Sequence, residues 1–288
     1  VKLRFVFFPL FLFFFQAQAE LNILVSILPE KYFVKQIAKD HAHITVMVPP
    51  GSSPHTYEPK ASQMRAVTDA DLYFAIGVEF ERAWLPRFRS QNPKLTVIDL
   101  SKAIEKIPMA EGYEKNEEKH GHSELGLDPH IWLSVRNVEK MAPLIEKALE
   151  SKDPAHTAEY RKNLAAFEKN LQTLDRKIQK ILSPLPKGSA FMVVHPSWGY
   201  FARDFGLRQM PVEIEGKAPK PRQLMQLIKA ARKEKIRAIF VQPEFSDQSA
   251  RLLATELRVP VLKISPLAED WSDTLLRLSR TLAGEQRP

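Results

Sequence analysis

Tyr160, Leu164, Phe167, Leu171, Leu174, Ile178 and Ile181 recur at alternating steps of four and three residues, with Lys, Arg, Glu and Gln filling the gaps. That spacing keeps seven apolar side chains on one stripe of an α-helix. Asp153-Pro154 opens the pattern and Ser183-Pro184-Leu185-Pro186 closes it. The predicted helix occupies 154–183 and is about 40 Å long at about 1.5 Å per residue. Such a helix is either half of a coiled-coil dimer or a spine between two parts of one chain. The stripe covers only about three heptads, which is short for a coiled coil. Strand-like and helix-like segments alternate on both sides of it, so the spine is the expectation.

Before the spine, Leu21 to Leu28, Ile44 to Val48, Leu72 to Ile76 and Leu95 to Leu100 are short apolar runs of strand length. Tyr32 to Ala38, Lys60 to Ala70 and Val135 to Leu149 have helical spacing. After it, Ala190 to Val194, Ile236 to Val241 and Val259 to Ile264 are strand candidates. Tyr200 to Phe205, Pro219 to Lys233, Ser246 to Glu256 and Trp271 to Leu282 are helix candidates. Strands alternating with helices predict α/β architecture with mainly parallel sheets. The expected organisation is an N-terminal α/β lobe over 20–153, a linking helix over 154–183 and a C-terminal α/β lobe over 184–288. In such sheets ligands bind beyond the carboxyl ends of the strands.

Residues 1–19 are read as a secretory signal peptide cleaved after Ala19. Lys2 and Arg4 are followed by the apolar run Phe5 to Phe15 and the small-x-small site Ala17-Gln18-Ala19. The apolar run is short for a bilayer span, so export to the periplasm is the expectation. Without Lys2 and Arg4 the formal charge of +8 falls to +6, dispersed and interleaved with acids. Nucleic-acid binding asks for cations gathered on one face, and no nucleic-acid partner is expected. The chain has no cysteine. Its fold must rest on its core, and any metal site must use His, Asp and Glu.

Four residues then stand out. His55 follows the loop Pro49-Pro50-Gly51-Ser52-Ser53-Pro54, and His195 directly follows a strand candidate. His130 follows Asp128-Pro129 and precedes the apolar Ile131-Trp132-Leu133. Proline holds its predecessor extended, so His130 is expected where a loop joins an ordered element, fixed well enough to offer a lone pair. Asp273 lies in the first turn of the last helix, where an acid also serves the helix dipole. No pair has the spacing of a local motif such as His-Glu-x-x-His. Spacing alone therefore makes a metal site a weak suggestion. Gly112 to Leu125 is polar, and His120 and His122 within it form a possible auxiliary metal-collecting arm.

The words around the histidines add specificity. Pro-His-Thr-Tyr-Glu-Pro at His55, Asp-Pro-His-Ile-Trp-Leu at His130 and His-Pro-Ser-Trp-Gly-Tyr-Phe at His195 resemble the zinc and manganese solute-binding proteins of ABC importers. The likeness is nearest to their periplasmic zinc-uptake branch. Val25-Ser26-Ile27-Leu28-Pro29 and Gly77-Val78-Glu79-Phe80-Glu81 fit it too. The resemblance implies two α/β lobes bridged by one rigid helix, with the metal in the cleft between them. It implies His55 and His130 as ligands from the first lobe, and His195 and Asp273 from the second. Asp270 and Glu244 are nearby alternatives to Asp273, as is water. It also implies delivery to a permease in the inner membrane by a monomeric carrier.

Three imidazoles and one carboxylate suit four-coordinate Zn²⁺. Nitrogen in place of oxygen at His195 favours zinc over Mn²⁺ or Fe²⁺, which remain the alternative cargoes. A zinc-dependent hydrolase is the alternative from another class. It would need an open coordination position for water, and no nucleophile or base motif accompanies these residues. The expectation is capture without turnover, with Zn²⁺ as cargo.

Overall fold

The computed structural model describes residues 20–110, 126–214 and 216–285. The expected signal peptide at 1–19 and the arm with His120 and His122 lie outside the described residues.

Leu21–Val25 (β1), Leu28–Ala38 (α1), Ala42–Val46 (β2), Ala61–Thr68 (α2), Leu72–Ala75 (β3), Glu79–Gln91 (α3) and Thr96–Asp99 (β4) build the first lobe. Its strands lie in the order β2-β1-β3-β4, all parallel. Val135–Lys152 (α4) and the 26-residue Thr157–Leu182 (α5) follow. The second lobe holds Ala190–Val193 (β5), Gly199–Asp204 (α6), Arg208–Pro211 (β6), Pro221–Lys233 (α7), Ile239–Val241 (β7), Gln248–Leu257 (α8), Val261–Lys263 (β8) and Trp271–Ala283 (α9). Its strands repeat the first order as β6-β5-β7-β8, again all parallel. Both sheets therefore reverse their winding beside the first strand of each lobe, which opens a crevice at the carboxyl ends.

The spine α5 is about 39 Å long. It buries Tyr160, Phe167, Leu171, Leu174 and Ile178 from the predicted stripe, with Leu164 and Ile181 half-buried. α4, α1 and α9 cover that stripe from within the chain. Two elements were not legible in the sequence pattern. α3 carries Pro86 and five charged residues, which obscure its period. β6 reads Arg-Gln-Met-Pro, and its proline is tolerated because β6 is an edge strand.

The lobes are joined by more than the spine. Alternate residues of β5 face opposite ways, as in any strand. Met192 and Val194 pack with Met210, Leu227 and Leu253 on the outer face. Phe191 and Val193 instead join a continuous core that contains β1, β3, α4, α5 and Trp271. Two tryptophans fasten the junction: Trp132 Nε1 donates to the Pro266 carbonyl and Trp271 Nε1 donates to the Trp132 carbonyl, each at 2.8 Å. Trp271 also meets Phe33 edge-on, with ring centroids 5.0 Å apart. Among the described residues, no helix is long and apolar enough to cross a membrane.

Candidate metal centre

His55 lies on the loop after β2, His195 follows β5, and His130 precedes a 3-10 turn of Ile131–Leu133, all three residues of which are buried. The two sheets thus aim their carboxyl-end loops at one point. One nitrogen of each histidine lies within 4.8 Å of the other two. The ring centroids are 5.2 Å apart for His130 and His195, 5.3 Å for His55 and His195, and 6.3 Å for His55 and His130. His130 and His195 are buried and His55 is partly exposed.

Each ring is held from behind by a carboxylate. His55 Nδ1 meets Glu79 Oε2 at 3.0 Å, His130 Nδ1 meets Asp128 Oδ1 at 2.7 Å, and His195 Nδ1 meets Glu213 Oε2 at 2.9 Å. A carboxylate only accepts, so each Nδ1–H donates and each Nε2 keeps its lone pair. This is how metal-ligating histidines are oriented and made more basic. His195 Nε2 is buried and has no hydrogen-bond partner. An orphaned, buried lone pair is costly without a ligand, and a cation at the centre of the trio would satisfy it. Burial holds the His195 pKa below the ordinary imidazole value, and nearby His130 pushes the same way, against the pull of Glu213. The ring therefore stays neutral and able to ligate at neutral pH.

Local structure fixes these positions. The Asp128 carboxylate also accepts the His130 backbone N–H at 2.9 Å. The Pro54 carbonyl accepts the Phe80 N–H at 3.0 Å, which ties the His55 loop to the α3 start that carries Glu79. Gln242 accepts the His195 N–H at 3.2 Å and donates to the His195 carbonyl at 2.8 Å. Phe245 stacks on the His195 ring at 4.5 Å. Between the rings, Trp132, Phe245 and Glu244 lies a hollow of about 20 Å³, room for about one water-sized occupant. A wider cleft of about 700 Å³ leads outward past Glu79, Arg82, Lys106 and Glu213. A tetrahedral Zn²⁺ with bonds of about 2.0–2.1 Å holds its ligands roughly 3.3 Å apart. Small side-chain shifts suffice to bring the trio onto one.

The expected carboxylate ligand does not join them. Asp273 is exposed in the first turn of α9 and outside the histidine cluster. The cause is Trp271, which turns inward against Phe33; two residues on, at about 100° per residue, a side chain points away. Asp270 is half-exposed and pairs with Arg277 at 3.6 Å. Glu244 is different. It borders the hollow, its Oε1 accepts from Ser265 Oγ at 2.9 Å, and its Oε2 is buried with no hydrogen-bond partner. The three orienting carboxylates were missed as a set. Asp128 is two residues from its histidine, but Glu79 and Glu213 are 24 and 18 residues from theirs, so no local spacing marks them.

The chain matches the sequence family described as ZnuA, zinc-uptake complex component A periplasmic, over residues 23–283. It is similar to the zinc-binding lipoprotein AdcA of Streptococcus pneumoniae R6, 32% identical over 260 residues. The aligned part covers 88% of this chain and 51% of AdcA, so the chain spans about half the length of that relative. It superposes on a crystal structure of ZnuA with a TM-score of 0.84 and 37% identity, covering 92% of this chain and 98% of that one. A zinc-bound ZnuA lacking residues 138–173 superposes at 0.83 with 37% identity, covering 93% of this chain and all of that one. A shared fold, a trio of buried or half-buried histidines in the inter-lobe crevice and a family match over nearly the whole described chain agree: this chain belongs to the ZnuA family of periplasmic zinc-uptake components.

Proposed function

We propose that this chain captures Zn²⁺ in the periplasm and hands it to the membrane permease of an ABC importer, without chemical turnover. The observation that carries this reading is the convergence of His55, His130 and His195, each with Nδ1 on a carboxylate and Nε2 free. Nitrogen donors suit zinc over manganese. Water or the free Glu244 oxygen supplies the fourth position. Trp132, Phe245, Pro266 and Leu267 give the hollow an apolar wall beside Glu244, which limits the access of bulk water. The lobes at 20–153 and 184–288 act as two jaws on the linking helix 154–183. With the α5 stripe covered within the chain, the carrier works as a monomer. The continuous core and the tryptophan pair favour release by loop and side-chain shifts.

The test strips the protein of metal and titrates it with Zn²⁺ and Mn²⁺ at neutral pH. One tight zinc equivalent is expected, weakened by about 100-fold or more in His130→Ala with the far-ultraviolet circular dichroism unchanged. Tight manganese with weak zinc would keep the carrier and overturn the cargo. Unchanged zinc affinity in His130→Ala would remove that residue from the site.

A further inference from the structure

α7 carries Arg222, Lys229, Arg232 and Lys233 and no carboxylate. At about 100° per residue, these four with Met225 and Gln226 fall within an arc of about 120°, and all six are exposed. Leu227, Ala230 and Ala231 are buried on the opposite side. Lys217 and Lys220 lead into the helix and are exposed as well. Glu234, the one acid of residues 216–238, is engaged by Arg208 at 2.7 Å. Lys217, Lys220, Arg222, Lys229 and Lys233 have no ion pair among the described residues, whereas Arg232 reaches Glu256 at 4.0 Å. α5, by contrast, mixes Glu159, Glu168 and Asp175 among its cations.

The helix dipole accounts for Arg232 and Lys233 in the last turn of α7, but not for the cations at its other end. Cations stabilise the last turn of a helix and oppose its first. Lys220 and Arg222 stand at the amino end of α7, and no acid offsets them there. The same layer also leaves apolar tips in water. Met225 is 70% exposed among the α7 cations, and Leu252 on the adjoining α8 is 54% exposed, although Arg251 beside it is neutralised by Asp247 at 2.6 Å. These are two of the three large apolar side chains exposed among the described residues. Cations around protruding apolar tips are the chemistry of a surface that lies on anionic lipid: the charges meet the phosphates and the tips reach the acyl boundary.

We propose that the outer face of α7 and α8 docks on a bilayer surface rich in anionic phospholipid. The inference rests on the delivery role only in placing the chain beside a bilayer. Gly216 lines the cleft and Lys217 follows it, so the docked face runs up to the cleft mouth. A carrier held this way searches for its permease along a surface instead of through a volume.

Cosedimentation with vesicles at about 0.1 M salt tests this. The chain from Glu20 onward, without the apolar run Phe5 to Phe15, is expected to bind vesicles of phosphatidylethanolamine containing phosphatidylglycerol, and not vesicles of phosphatidylcholine. Each cation that reaches the headgroups contributes roughly a fivefold gain in affinity. Lys220→Gln, Arg222→Gln, Lys229→Gln and Lys233→Gln together should therefore weaken binding by at least about 100-fold. Zinc affinity should be unchanged, which shows an intact fold and separates this inference from the cargo. Met225→Gln with Leu252→Gln should weaken vesicle binding while leaving the charge unaltered. Wild-type protein indifferent to phosphatidylglycerol, or a quadruple variant that binds as tightly, overturns the proposal. So does binding to polyglutamate but not to vesicles, which would make the face a site for an acidic protein.

Discussion

Replacing Gly199 by alanine would place a methyl group where the Asp128 carboxylate now sits. Gly199 opens α6 in the second lobe, and Asp128 belongs to the first. A Cβ built on Gly199 lies 2.5 Å from Asp128 Oδ2 and 3.2 Å from Gln209 Nε2. A carbon and an oxygen approach to about 3.3 Å, so the carboxylate must retreat by roughly 0.8 Å. Asp128 is fully buried and cannot move freely. Its Oδ1 holds both the His130 ring at 2.7 Å and the His130 backbone N–H at 2.9 Å. A retreat of that size breaks or misaligns the ring bond. Loss of an orienting partner typically weakens metal affinity by 10- to 100-fold, or about 1.4–2.7 kcal/mol. The substitution touches no candidate ligand, and Gly199 does not adopt a left-handed backbone, so sterics alone act. Zinc dissociation constants from competition with a chelator, read beside the melting temperature of the metal-free protein, measure the effect. A folded Gly199→Ala protein with wild-type zinc affinity would refute the claim that Asp128 aims His130.

Zinc affinity should fall as pH drops through about 6.5 and below, because a protonated imidazole cannot ligate. Burial holds His195 below the ordinary value, so its share of the loss comes at the lower end; an affinity flat between about pH 7 and 5 contradicts a three-histidine site. Glu81 is pushed up to about 7, chiefly by burial. Its folded form therefore holds a proton that the unfolded chain releases at lower pH, and stability declines as pH rises from about 4.5 through 7, by about 3 kcal/mol. Urea midpoints of Glu81→Gln should show that decline flattened, and an undiminished pH slope counts against it. Asp273→Ala should leave zinc affinity within about twofold of wild type, whereas Glu244→Gln should weaken it; the reverse ranking would return the fourth position to α9.

Much of this architecture could be read from one dimension because local period and burial coincide. The α5 stripe is seven apolar residues in step, and packing by α4, α1 and α9 only completes it. The histidines were legible through their neighbours: Pro129 and the apolar Ile131-Trp132-Leu133 mark His130 as a fixed residue at a junction. What stayed hidden is what only the folded chain brings together. Glu79 and Glu213 reach their histidines from the start of a proline-containing helix and from the end of an edge strand, and both elements lack a clean period. Asp273 stands apart from the histidines for a related reason. Its place in a first turn was read correctly, but the rotation of α9 is set by where Trp271 finds its pocket, and that pocket is made of residues far away in the chain.

The shared core has one more consequence. The two lobes repeat one strand order and look divisible at the spine. Yet Phe191, Phe240 and Trp271 of the second half are buried with Phe33, Phe74 and Trp132 of the first. The second half keeps an apolar cluster of its own around Met192, Met210 and Leu253, but its other sheet face closes only against the first half. Severing the chain between them would leave two apolar faces open to water, and heat should meet a single cooperative unit instead of two. The chain has the outline of a hinged pair and should melt as one domain.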